Sequence, residues 1–159
     1  MRKILVPRAA AFAAAIAAVL ATPALANEAR IEGHGGVVWD GSDSDATAGV
    51  AVGYDWDLGD SAFVGLETSA DKILRSNQRV SVGVGGRAGI KLSEAGKLYA
   101  VSSYQTKPCK YCEESVSLGA GYQQNFGSNL YGKVEYRHYF VGNGVPDYDG
   151  AVAGLGMRF

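Results

Sequence analysis

The stretch Arg79-Val80-Ser81-Val82-Gly83-Val84-Gly85-Gly86-Arg87-Ala88-Gly89-Ile90-Lys91-Leu92 alternates from end to end. Val80, Val82, Val84, Gly86, Ala88, Ile90 and Leu92 fall on one face, and Arg79, Ser81, Gly83, Gly85, Arg87, Gly89 and Lys91 on the other. An amphipathic helix repeats its apolar positions every three or four residues, so a period of two held this long defines a strand. The run also exceeds the usual strand of a soluble domain. It matches the about ten residues that a tilted strand needs to cross a bilayer.

The same alternation recurs on both sides of this stretch. Ala29 to Trp39 sets Ile31, Gly33, Gly35, Val37 and Trp39 against Arg30, Glu32 and His34. Ala46 to Trp56 sets Val50, Val52, Tyr54 and Trp56 against Ala51, Gly53 and Asp55, and Ser61 to Ala70 sets Val64 and Leu66 against Phe63, Gly65 and Glu67. Lys97 to Thr106 is strand-like, with two faces of similar character. Ser115 to Phe126 opposes Val116, Leu118, Ala120, Tyr122 and Phe126 to Ser117, Gly119, Gln123 and Asn125. Leu130 to Phe140 opposes Leu130, Val134, Tyr136 and Phe140 to Lys133, Glu135 and Arg137, and a last strand runs from Gly150 to Phe159. Eight candidates are an even number, as a closed antiparallel membrane barrel prefers.

Connections alternate as well. Asp57-Leu58-Gly59-Asp60, Ser93-Glu94-Ala95-Gly96 and Gly127-Ser128-Asn129 are short and rich in turn formers. Longer polar connections are expected around 40–45, 71–78, 105–114 and 141–149. Short turns at one end and longer loops at the other fit a transmembrane barrel whose termini lie in the periplasm. A soluble β-sandwich gives no reason for that odd–even rule.

The amino terminus adds an export signal. Arg2, Lys3 and Arg8 precede an apolar run from Ala9 to Leu20, then Pro23 and the small-residue site Ala24-Leu25-Ala26. This is the pattern of a cleaved signal peptide over residues 1–26; a retained anchor would need a longer apolar core. Removing 26 of the 159 residues leaves 133, one domain over 27–159, with 12 basic and 16 acidic side chains and a net charge of −4. That mild acidity argues against nucleic acid as a partner, because binding its phosphates needs a basic surface. All 22 Gly fall in the mature part, as expected where backbones approach closely in a closed sheet.

Two further features belong to the membrane reading. Ala151, Ala153, Leu155, Met157 and Phe159 alternate to the last residue. A terminal Phe on such a strand, with Met157 and Leu155 before it, resembles the signal that outer-membrane assembly machinery reads in its clients. Aromatics gather near strand ends: Trp39, Tyr104 and Tyr139 on the outer side, Trp56, Phe126 and Phe159 on the inner. Two interfacial girdles are expected of them.

The segment Ser115 to Phe159 carries a family resemblance. Leu118-Gly119-Ala120-Gly121-Tyr122, Asn129-Leu130-Tyr131, Lys133-Val134-Glu135-Tyr136-Arg137 and Gly154-Leu155-Gly156-Met157-Arg158-Phe159 resemble the opacity-type surface proteins, the "porin family" of outer-membrane β-barrels. The resemblance implies a monomeric, closed, eight-stranded, antiparallel up-and-down barrel with variable outer loops, a surface antigen of the Gram-negative envelope. It implies no catalytic residues and no cofactor. The outer loops here are shorter than those of the adhesive members.

In this register Arg30, Glu32, His34, Asp55, Glu67, Arg87, Lys91, Lys133, Glu135, Arg137 and Arg158 point into the lumen. Eight strands enclose a space that side chains fill, and charges there are expected to pair, with Glu135 and Arg137 or Arg158 at the centre. The alternative is a narrow path for ions or small solutes.

Cys109 and Cys112 lie three positions apart in the third outer loop. Three readings stand: a disulfide, as an oxidising compartment favours; a redox motif, which would need a helix start; and a metal site, for which only His34 and His138 exist as further His ligands. Asp40-Gly41-Ser42-Asp43-Ser44-Asp45 lacks the spacing and closing carboxylate of an EF-hand, and reads as a solvated acidic loop. Gly83-Val84-Gly85-Gly86 lies within a strand with no helix after it, so it is no phosphate cradle.

One enzymatic reading remains. Arg137-His138-Tyr139-Phe140 followed by Gly142-Asn143-Gly144 resembles the His-x-Ser-Asn region of lipid A deacylases, yet Phe140 occupies the nucleophile's place and has no hydroxyl. The expectation is therefore a non-catalytic outer-membrane surface protein with an envelope-integrity or surface-interaction role. Its partners are outer-membrane lipids, lipopolysaccharide and, during biogenesis, the assembly machinery. A channel is the alternative, and a lipid A-modifying enzyme the third.

Overall fold

The computed structural model describes residues 27–159; the expected signal peptide lies outside the described residues. Eight strands follow in chain order: β1 (Glu28–Asp40), β2 (Asp43–Leu58), β3 (Ala62–Ile73), β4 (Ser81–Lys91), β5 (Gly96–Gln105), β6 (Ser115–Phe126), β7 (Leu130–Val141) and β8 (Tyr148–Arg158). Each pairs antiparallel with the next, and β8 returns to β1, closing the barrel. The closing seam runs from Arg30 opposite Arg158 to Trp39 opposite Asp149. Closure leaves no open edge, so every ladder finds a partner without water. No helix among the described residues is long and apolar enough to cross a membrane.

The barrel is apolar outside and polar inside. Each strand sends an aliphatic side chain outward: Ile31, Val50, Leu66, Val84, Leu98, Leu118, Val134 and Leu155 are 45–72 % exposed. The lumen buries Arg30, Glu32, Asp55, Glu67, Arg87, Lys97, Lys133, Glu135 and Arg137 instead. In water this distribution is unfavourable on both counts, with apolar area wetted and charge buried. In a bilayer the outer face is solvated by lipid tails and only the inner face needs polar partners.

The connections differ from expectation at one point. The segment around 40–45 is a tight turn at Gly41-Ser42 between β1 and β2, with Asp40 paired to Asp43. Gly41 has φ +55°, a left-handed conformation that favours glycine and lets the two strands reverse directly. The polar run was misleading because Asp43-Ser44-Asp45 lies in the outer part of β2, where neither face needs to be apolar. The other outer connections span 74–80, 106–114 and 142–147; the inner ones span 59–61, 92–95 and 127–129.

Candidate functional site

The lumen is built in tiers by the inward positions of all eight strands. At the inner end, Glu28 accepts from Lys97 at 2.9 Å and from Arg158 at 3.0 Å. Just above, the fully buried Asp55 accepts from Arg87 Nε at 3.0 Å, with Arg30 at 3.6 Å and Lys97 at 3.5 Å. Arg87 also donates to Gln123 at 3.0 Å, and its guanidinium lies 4.7 Å from the Tyr99 ring centroid and 5.3 Å from that of Phe63. Phe63, Tyr99 and Val101 form a small apolar cluster within this polar interior.

The middle tier is the densest. Glu67 binds Arg30 at 2.8 Å and Arg137 at 2.9 Å. Lys133 donates to Glu135 at 2.8 Å and contacts Glu32. Arg137 Nε donates to Glu135 at 2.9 Å, and the Tyr99 and Tyr131 hydroxyls donate to Glu135 at 2.8 Å and Glu32 at 2.7 Å. Each carboxylate thus meets several donors, which is what makes buried charge tolerable. Space comes partly from Gly121, where an added Cβ would lie 2.6 Å from the Tyr99 ring and 2.7 Å from Glu135 Cγ.

Above this tier lies a cavity of about 50 Å³ lined by His34, Asp71, Gln105, Arg137, Tyr139 and Tyr148, among others. That is room for a few waters, at about 10–15 Å³ of such space per water. His34 Nε2 lies 2.6 Å from Asp71, and Tyr139 stacks on Tyr148 with centroids 4.4 Å apart.

Two expected placements are corrected. Arg158 does not join Glu135; it sits at the inner rim on Glu28 and donates to the Gly127 carbonyl at 3.1 Å. It lies one residue from the end of the chain on β8, well below the middle tier. Tyr139 does not belong to the outer girdle. It shares the inward parity of Glu135 and Arg137 and lines the upper lumen. Facing outward near the outer end are Trp39 and Tyr136, with ring centroids 6.3 Å apart, together with Tyr104 and Phe140. Trp56, Tyr54, Phe126 and Phe159 occupy the inner end, Tyr54 and Trp56 in edge contact at 5.0 Å.

Lys97, Tyr99, Tyr131 and Glu28 are lumen residues that sequence reading passed over. Tyr131 had a usable signal, its parity with Lys133, whereas Lys97 and Tyr99 lie on the strand whose faces look alike.

In the third outer loop Cys109 and Cys112 form a disulfide, Cα atoms 5.0 Å apart. Lys107 and Glu113 brace the loop at 3.1 Å, and the Glu113 carboxylate raises the Lys107 ammonium above its ordinary pKa. On the outward face of β7 and β8, Asp149 accepts from the Tyr136 hydroxyl at 2.6 Å and lies 2.7 Å from His138 Nδ1. The His138 ring packs edge-on to Phe140 at 4.6 Å, so residue 140 offers it a hydrocarbon ring and no hydroxyl.

This geometry defines a class: a closed, eight-stranded, up-and-down antiparallel barrel with a lipophilic wall and a filled, ion-paired lumen. No protein-family model matches the chain, and no curated protein matches it. Solved structures do. Neisserial surface protein A is similar over 86 % of this chain and 98 % of its own, at 12 % identity and a TM-score of 0.59. Ail, the attachment invasion locus protein of Yersinia pestis, is similar over 84 % and 98 %, at 16 % identity and 0.58. The N-terminal β-barrel domain of Pseudomonas aeruginosa OprF is similar over 83 % and 97 %, at 14 % identity and 0.56. At these identities what is shared is the fold.

Proposed function

We propose that this chain is a monomeric integral outer-membrane surface protein, with periplasmic termini, that serves envelope integrity and surface interactions without chemistry of its own. The observation that carries this reading is the inverted distribution of polarity. A belt of exposed aliphatic side chains rings the barrel, while paired charges fill its interior. The belt calls for lipid as solvent. The filled interior favours a structural role over the channel reading, because ion pairs of Arg30, Glu32, Glu67, Lys133, Glu135 and Arg137 occupy the middle of the lumen. The opacity-type resemblance of Ser115 to Phe159 supports the surface role, and Leu155, Met157 and Phe159 suit recognition by the assembly machinery.

Planar-bilayer recording of the refolded monomer tests the reading. It predicts a silent membrane at every applied voltage; steady, reproducible unit conductance would replace the structural role with that of a channel.

A further inference from the structure

The outer mouth holds a cavity of about 300 Å³ between the first hairpin turn and the loops following β3, β5 and β7. Its size falls at the lower end of the range of small-ligand sites, about 300–1,000 Å³. Its walls combine the aromatic residues Tyr111 and Tyr148 with the carboxylates of Asp40 and Asp43. Asp40 and Asp43 face each other across the Gly41-Ser42 turn, and neither carboxylate has an ion-pair partner among the described residues. Gln78 also lines the cavity, with its side-chain oxygen out of solvent reach. Glu113 lines the same space but is already engaged by Lys107 at 3.1 Å and Asn143 at 3.4 Å.

The chemistry of this lining is one-sided. Its charges are all negative, the Asp40 and Asp43 carboxylates are unengaged, and no lysine or arginine lines the cavity. A ligand that satisfies them must bring several N–H donors and positive charge, together with a flat surface for the rings. A guanidinium has that combination: a planar fork of donors, weak hydration and a face that stacks on aromatics. The wall is held in place by the Cys109–Cys112 disulfide and by Arg79 N–H donating to the Pro108 carbonyl at 2.7 Å. A site fixed before binding loses less entropy when filled.

We propose that this mouth cavity binds the arginine side chain of a basic peptide segment, with Asp40 and Asp43 taking the guanidinium and the Tyr148 ring flanking it. This site is separate from the lumen plug, so a silent bilayer and an occupied mouth are independent results.

The test titrates the full chain, folded in detergent micelles, with N-acetyl-arginine amide and with the neutral N-acetyl-citrulline amide, reading binding by calorimetry and by amide chemical shifts. The arginine compound is expected to bind at least tenfold more tightly than the citrulline compound, and more weakly as salt rises. In an Asp40→Asn/Asp43→Asn variant that keeps the folded gel mobility of the parent, the preference is expected to vanish. Equal binding of the two compounds, no binding of either, or full retention of the preference in the variant would overturn the proposal.

Discussion

Asp55 shows how much rides on single side chains in the lumen. It is fully buried and held by Arg87, with Arg30 and Lys97 at 3.6 and 3.5 Å. Replacing Arg87 with Met strips its main partner and leaves a buried carboxylate short of donors, which costs about 3–5 kcal/mol. Urea unfolding in micelles should register that loss, and the double variant Arg87→Met/Asp55→Leu should recover much of it, because no orphaned charge remains. Gly121→Val makes a second residue-scale case: its Cβ would fall 2.6 Å from the Tyr99 ring, and overpacking of this kind costs about 1–3 kcal/mol in the same assay. The inward set Arg30, Glu32, Glu67, Lys133, Glu135 and Arg137 was legible in the sequence because parity alone assigns the face. Their pairings were not: Glu67 meets Arg137 across 70 positions of chain, a contact that depends on strand stagger around the closed barrel. The nearness of Tyr139 to a strand end gives its height in the membrane but not its face; its parity with Arg137 gives the face.

Strands and loops follow different rules. The period of two in β4 continues through Val82, Val84, Ala88 and Ile90 outward and Arg87 inward, and that alternation alone defines a membrane-length strand. In β5 the same period is present but muted. Tyr99 and Val101 turn inward to pack beside Phe63, while Ser102 turns outward and donates to the Ser117 carbonyl at 2.9 Å. Each face therefore mixes polar with apolar, and composition could not separate them. At this scale the lipid-facing claim has its own test. Leu118→Arg at the outward centre of β6 should cost about 2–4 kcal/mol if lipid surrounds it. In an aqueous setting the same exchange at a 55 % exposed position would change little, so an unaltered unfolding midpoint in vesicles would contradict the assignment. The third outer loop is more independent. Its disulfide closes a ring of sequence separation three, so reduction or Cys109→Ser/Cys112→Ser should lower stability by at most about 2 kcal/mol, leaving the barrel folded on gels.

Across the whole molecule the wall and the lumen require each other. A wall of Ile31, Val50, Leu66, Val84, Leu98, Leu118, Val134 and Leu155 asks for lipid, and a lumen of buried ion pairs asks for a wall that excludes water. The protein is in that sense turned inside out relative to a soluble domain. Heat-modifiable migration tests this most directly: the outer-membrane fraction is extracted in detergent and run boiled and unboiled, with and without reductant. A compact, fast-running unboiled band that slows on boiling, in both redox conditions, is the predicted result. A band unmoved by boiling, with the protein recovered soluble from the periplasm, would contradict the membrane barrel and return the chain to the soluble β-domains.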